Sequence, residues 1–553
     1  MKKHIIALSL AAVAAAAVSC SDFLDEKLYN RYDKSNYFSS IANLDMAVQG
    51  VYGDLQRRFT YGQAFIAYDN DTDVSFIDGI AVNSGNGWRD IAHYYIKNDA
   101  DYIEQTWQLL YSGIEKANVV LENYRRVPTA SEDDRKKADR LAAEAKFLRG
   151  LYHFDLVRFY GDVPLKTTAS DLGQNAKITR TPRADVYAQI VTDMTEAIAD
   201  LPWWNETGVA NDGRVHKGAA MGMLARVQLY RGGYSLYPDG TRRRPDNYKD
   251  YYQAVLDITS ELIASGRHEL NPSFEAIFRN HCLCTFEPKE SMFEVDFVYA
   301  SNVVTERGGY VGSWNALYTA QGVYGRANAF IRTFKKFYDK FEAADLRRDV
   351  SIGAYQVTAV GARTAIANEN SEQWGLGKWR REWQDPVQQL LNQNNTSLNY
   401  VLLRYSDVLL MRAEALNEIN EGADASGERD KLVDQVRRRG YGKQIDAPDP
   451  TVDITAGMSK DDFLAYLQDE RARELCFEST TRRMDLIRWN ILGDKLKEAY
   501  DWCEDPANKG INVTLDFVGW TNFTVNCNEL YPIPAREIRE NPTLVPNNPG
   551  YGN

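Results

Sequence analysis

Histidine and cysteine are scarce in this chain, six of each among 553 residues. The histidines show no close pairing, which excludes the spaced ligand pairs of a catalytic zinc enzyme. Cys282 and Cys284 have no second pair at zinc-finger spacing. With Cys476, Cys503 and Cys527 they read as buried thiols, with room for one disulfide in an oxidising compartment. The chain contains no H-E-x-x-H, G-x-S-x-G or phosphate-loop motif, and Gly375-Leu-Gly377 lacks the third glycine of a nucleotide fingerprint. There is no basic excess: 65 Lys and Arg stand against 77 Asp and Glu, a net charge of −12. That excludes a broad phosphate-binding face and hence nucleic acid as a partner. The short clusters 242–244 and 437–439 read as solvated turns or helix ends. After residue 18 no stretch is long and apolar enough to span a bilayer.

The one apolar run is at the start. Lys2 and Lys3 precede residues 5–18, too short to cross a membrane and patterned as a signal-peptide core. The run closes on small residues and then Ser19-Cys20. A cysteine directly after the cut marks a bacterial lipoprotein, lipidated on Cys20, although Ala17 stands where leucine is commoner. Two or more acyl chains anchor a protein stably where one does not. Residues 1–19 are thus expected to be the leader and residues 20–40 a lipidated tether, leaving contact with the membrane through the lipid alone.

Aromatic residues are abundant, with 33 Tyr and 11 Trp. Helical periodicity fills the first half. Residues 102–125, 133–160, 183–201, 216–231 and 247–265 each carry an apolar stripe at three- and four-residue steps. In residues 133–160 a second apolar face, Phe147, Leu151 and Phe154, predicts burial on all sides, and His153 reads as a satisfied core residue. Between residues 271 and 399 glycine, asparagine and aromatics rise. A strand is expected near 292–298, a helix over 330–341, and loop or edge strand over 374–383. Helices return at 405–420, 459–477 and 483–500, and the proline-rich tail is expected to be extended. The fold class is therefore mainly α: tetratricopeptide-like helical repeats with a loop-rich, irregular ligand-binding region. Residues 41–553 form a single domain, with a helical core at about 41–270 and 400–500 and the loop-rich part at about 271–399.

Four stretches carry a family resemblance: residues 142–165 (AAEAKFLRGLYHFDLVRFYGDVPL), 403–417 (LRYSDVLLMRAEALN), 470–489 (ERARELCFESTTRRMDLIRW) and 531–542 (YPIPAREIRENP). With the start at residues 20–25 (CSDFLD), the chain closely resembles the SusD/RagB family of outer-membrane nutrient-binding lipoproteins. The resemblance implies four tetratricopeptide-like repeats with loops that carry the ligand site. It implies capture of a polysaccharide or oligosaccharide at the cell surface, in some members a peptide. It also implies a partner, a TonB-dependent SusC-type transporter on which the protein acts as a lid. It implies no cofactor and no catalysis. Two other readings stand beside it: a surface glycoside hydrolase, and a helical-repeat scaffold that binds only protein or peptide.

Glu470, Glu474, Glu478, Arg482 and Asp485 fall on one helical row with arginines between them, which predicts an ion-pair ladder and not an acid/base pair. The run from residue 68 to 90 holds Asp69, Asp71 and Asp73 at alternate positions, like the start of a calcium loop. Val74 and Ile80 stand where that loop needs glycine and glutamate. A sugar site needs an aromatic face for the C–H side of the ring and charged groups for its hydroxyls. Trp88 with Arg89, Asp71, Asp73 and Asn83 supplies both, joined by Trp314 and Tyr318 of the loop-rich region. Trp379 and Arg381 form a second tier. The alternative for Trp88 is a buried anchor that staples the loop to the body.

Overall fold

The computed structural model describes residues 37–79, 87–170, 177–207, 209–298, 309–386, 395–478, 481–508 and 518–553. The leader, Cys20 and Asn83 lie outside these residues.

Helix α1 (Ile41–Tyr52) starts at Ser40, whose side chain accepts the Asn43 N–H. Next come α2 (Asp101–Asn123) and α3 (Glu132–Tyr160). Ser131 caps α3, and three acids in its first turn favour the positive end of the helix dipole. The α3 chain turns away at Gly161, where φ is +74°. Helices α4 (Arg183–Asp200), α5 (Lys217–Arg231) and α6 (Tyr248–Ala264) follow. Each packs on its neighbour in sequence, and α1 lies against both α2 and α3. Burial of α3 on all sides is as its two apolar faces predict, since Leu148, Leu151, Phe147 and Phe154 are all core. Where α2 meets α3, a Cβ on Gly113 would fall 2.3 Å from the Tyr152 ring, so glycine sets that approach.

The loop-rich region is built on short strands: β1 (Ser75–Ile77), β2 (Ser291–Val295), β3 (Ile331–Thr333), β4 (Ile352–Gly353), β5 (Gly375–Leu376) and β6 (Tyr400–Arg404). One antiparallel sheet runs β1-β3-β5-β4, with Ser75 opposite Thr333 and Ile77 opposite Ile331. This pairing ties the early aspartate-rich segment to the middle of the chain. Strands β2 and β6 form a separate pair.

Helices α7 (Tyr405–Ile419), α8 (Glu428–Gly440), α9 (Lys460–Leu475), α10 (Arg482–Arg488) and α11 (Leu492–Glu504) complete the body. Several details differ from the sequence expectation. Residues 330–341 begin as strand β3, because Ile331 and Thr333 face β1 across the sheet, and only Lys335–Tyr338 turns helical. Residues 483–500 break at Asn490, which takes φ +62°. The tail contains a short helix, Ala535–Glu540, between Pro534 and Pro542; proline just before a helix start removes no hydrogen bond the helix needs. Arg437, Arg438 and Arg439 end α8, as the helix-end reading expects, but they are buried and paired with acids of neighbouring segments and not solvated. The five described cysteines are free thiols. His153 is a core residue whose Nδ1 lies 3.0 Å from the Arg149 carbonyl; its Nε2 has no partner among the described residues, and burial lowers its pKa to about 3.

Candidate functional site

The aspartate-rich segment faces inward. Asp69 accepts the backbone N–H of Arg483 at 3.0 Å, and burial pushes its carboxyl up to about 8. Asp71 is 0% exposed at a left-handed turn, φ +53°. One of its oxygens accepts the Ile77 N–H at 3.0 Å, and the other lies 2.6 Å from His93 Nδ1. His93 Nε2 lies 2.9 Å from the Gly79 carbonyl. Two acceptors on one imidazole favour the protonated ring. Burial opposes that charge, yet Asp71 keeps the His93 pKa above its ordinary value. Asp73, 7% exposed, takes a forked ion pair from Arg482 at 2.8 and 2.5 Å. Although burial works the other way, Arg482 lowers the Asp73 pKa. Asp71 and Asp73 are therefore anchors between the loop, His93 and α10. This corrects the expectation that they meet sugar hydroxyls: their oxygens are engaged within the protein and shielded from solvent.

The rings come together above this anchor. Gly87 donates its N–H to Asp90 at 3.0 Å and opens a single helical turn, Trp88–Ala92. Trp88 lies 4.1 Å from Trp314 between ring centres, tilted by 36°, and 5.3 Å from Phe330. Tyr310 meets Trp314 edge-on at 5.2 Å. Trp314 is 2% exposed and forms the floor, while Trp88, Phe330 and Tyr310 are partly exposed around it. The Arg89 guanidinium sits 4.2 Å from the Trp88 ring centre and 5.1 Å from that of Phe330. Arg89 donates to the Asp78 carbonyl at 2.6 Å and to its carboxylate at 3.1 Å, and Arg332 of β3 donates to the other carboxylate oxygen at 3.0 Å. Trp88, Arg89 and Trp314 thus belong to one cluster. Tyr318, 40% exposed, has no ring contact with it among the described residues. Trp379 is core against Phe278, and Arg381 is buried beside Gln384 with its pKa lowered to about 10 by burial, so the second tier points inward.

Tyr310, Phe330, Arg332 and Arg58 escaped the sequence reading. Phe330 and Arg332 sit where a helix was expected. Their signal was the β-branched Ile331 and Thr333, which mark a strand. Arg58 donates to Gln63 at 2.7 Å and to the Tyr102 hydroxyl at 3.0 Å and carries no carboxylate partner among the described residues. The neighbouring Gly62 accepts the Tyr310 N–H, which brings Arg58 toward the ring cluster.

The acid row at 470–485 is a different kind of structure from the ladder anticipated. Helix α9 ends at Leu475, so Glu478, Arg482 and Asp485 leave its face. Glu474 receives Arg439 at 2.5 Å, Arg404 at 2.8 Å and Arg347 at 3.2 Å, all from other segments. Glu470 receives Arg347 and, from its own helix as the ladder predicts, Arg473 at 2.7 Å, and Glu478 receives Arg404. Burial would raise the Glu474 pKa, but Arg439, Arg404 and Arg347 hold it far below the usual range. These carboxylates bind α8, α9 and β6 together in the interior. Among the described residues no group of three or more His, Cys, Asp or Glu is placed to hold a metal ion, and no helix is long and apolar enough to cross a membrane.

Known proteins match along the whole chain. A family model described as "SusD family" covers residues 313–551, and one described as "Starch-binding associating with outer membrane" covers residues 22–229. Trp314 falls in the first match and Trp88 in the second. SusD-like protein P2 of Formosa agariphila is 27% identical over 559 residues, spanning 100% of both chains. The crystal structure of a SusD homolog from Bacteroides thetaiotaomicron superposes with a TM-score of 0.84 at 28% identity, covering 94% of this chain and 99% of that one. A laminarin-binding SusD-like protein shares the fold, with a TM-score of 0.68 at 22% identity over 93% of this chain and 100% of its own.

Proposed function

Because this chain belongs to the SusD family, we propose that it captures a glycan at the cell surface and delivers it to a TonB-dependent outer-membrane transporter of the SusC type, acting as the transporter's lid. The observation that carries the glycan part is the ring cluster of Trp88, Phe330 and Tyr310 over Trp314, with Arg89 and Arg58 at its margins. Partly exposed rings offer apolar faces and edges to the C–H side of a pyranose. Guanidinium forks bond hydroxyl and ring oxygens more strongly than neutral donors do. A modest single-site affinity is enough for a repeating polymer, since successive contacts multiply.

The proposed role is binding without cleavage. Glycoside hydrolysis needs two carboxyl groups across the scissile bond. Asp78 beside the rings is taken by Arg89 and Arg332, and Glu470 and Glu474 of α9 are consumed in ion pairs. The chain is proposed to be held at the outer membrane by lipid on Cys20, with residues 20–40 as tether and 41–553 as one domain.

Native affinity electrophoresis in gels cast with single polysaccharides, laminarin first, tests this reading. Retardation by at least one glycan is expected, with no reducing ends released on prolonged incubation. Retardation by none, or release of reducing ends, contradicts it. Co-purification of the lipidated chain with a TonB-dependent transporter from outer membranes tests the lid role.

A further inference from the structure

A separate cavity of about 650 Å³ opens at the C-terminal end of α1, and none of the platform residues lines it. Its walls are Gln49, Gly50, residues 52–57, Lys116 of α2, the turn Asp212-Gly213-Arg214 before α5, and Glu294, Val295 and Asp296 at the end of β2. The volume suits a sugar-sized molecule.

Most charges that line it are already matched. Lys116 meets Asp54 at 2.6 Å. Arg214 meets Asp45 at 2.6 Å, Glu144 at 3.3 Å and Asp212 at 3.7 Å. Glu294 is held by Ser291 at 2.5 Å, by Asn399 at 2.9 Å and by His281, 3.2 Å away. Arg57 also faces the space.

Asp296 is the exception. Its backbone carbonyl accepts the Gln56 side-chain amide at 2.8 Å, but among the described residues its carboxylate joins no ion pair, and its buried Oδ1 has no hydrogen-bond partner. The group lies directly over Gly213, which has φ +77°; a Cβ there would fall 2.1 Å from Asp296 Oδ2. Burial, then the charges of Glu294 and Asp212, push its carboxyl up to about 8. A buried polar atom without a partner is costly, and a carboxylate facing acidic neighbours is relieved most by a cation. Gln49, Gln56, Asp54 and Asp212 offer partners for hydroxyls, and Tyr52, Leu55 and Val295 supply an apolar side for the C–H face of a ring.

We propose that this cavity is a second ligand site, which takes a sugar bearing a protonated primary amine and pairs its ammonium with the Asp296 carboxylate. When the ligand enters, the Asp296 carboxyl O–H bond breaks, its proton passes to the solvent and the ammonium takes its place; no other covalent bond changes. The site stands independently of glycan capture on the Trp88 platform.

Titration calorimetry at pH 6.5 on the full chain tests it, using glucosamine, N-acetylglucosamine, glucose and glycinamide as probes. Glucosamine is expected to bind about tenfold or more tightly than N-acetylglucosamine or glucose, the scale of one charge-assisted hydrogen bond. Its binding should release up to one proton, read from buffers of different ionisation enthalpy. Asp296→Asn should remove the preference, and Trp88→Leu should leave it intact. Equal binding of glucosamine and N-acetylglucosamine overturns the proposal. So does a preference that survives in Asp296→Asn, or glycinamide binding as tightly as glucosamine. If Asp296→Asn does not fold, the wild-type comparison of the two sugars still decides.

Discussion

Trp88 and Trp314 stack at 4.1 Å although they come from distant parts of the chain. The pairing of β1 with β3 favours this: Phe330 leads directly into β3, and its carbonyl accepts the N–H of Asp78, the residue after β1. The Trp88 ring is a partial anchor, since it covers the floor residue Trp314, and a partly open wall, since the outer ring is only half-buried.

The Asp73–Arg482 pair should matter for the fold more than for binding. Removing one partner of a buried ion pair strands the other, at a cost of about 3–5 kcal/mol. Asp73→Ala is therefore expected to lower the urea midpoint strongly, and Asp73→Ala with Arg482→Leu to recover part of the loss. If Asp73→Ala instead weakened glycan binding with the midpoint unchanged, Asp73 would be a ligand contact.

Asp69 gives a pH signature. Its folded carboxyl titrates at about 8, above its ordinary unfolded value of roughly 4. Between those limits the folded protein holds a proton that the unfolded chain has lost. Stability from this group accordingly falls as pH rises from about 4 to 8. Asp69→Asn keeps an acceptor for the Arg483 N–H and should flatten the fall, so that urea midpoints at pH 5.5 and 8.5 draw closer together. An unchanged difference between the two pH values would show that Asp69 ionises normally in the fold.

Glu474 separates a structural from a catalytic role. Three arginines converge on it, so Glu474→Gln should destabilise by about 3 kcal/mol or more, measured by equilibrium unfolding. A variant that folds as well as the parent but loses a glycan-cleaving activity would overturn the structural assignment.

Much of the helical body was legible in the sequence, because apolar stripes at helical spacing in residues 133–160 and 216–231 admit few other arrangements. Proline and glycine marked the ends well, as Gly161 shows. The site was legible only in part. Trp88 and Trp314 were identified by residue type, but the direction in which Asp71 and Asp73 point depends on Arg482 and His93, and no local pattern encodes that contact. The same holds for the acids of 470–485. Their spacing suggested partners on their own helix; Glu470 does pair with Arg473 and Asp485 with Arg488 in this way, but the arginines on Glu474 and Glu478 come from β6, α8 and the segment before β4. Phe330 was missed because three strand residues carry a weaker periodic signal than a helix does.

The central claim is that the ring cluster binds glycan. Trp88→Leu keeps apolar cover over Trp314 and removes the aromatic wall, so its stability cost should be modest, about 1–2 kcal/mol. Affinity electrophoresis of this variant against a glycan that retards the parent, beside its melting curve, tests the claim most directly. Loss of most of the retardation with a small fall in melting temperature is the expected result. Full retardation by the same glycan would contradict the account.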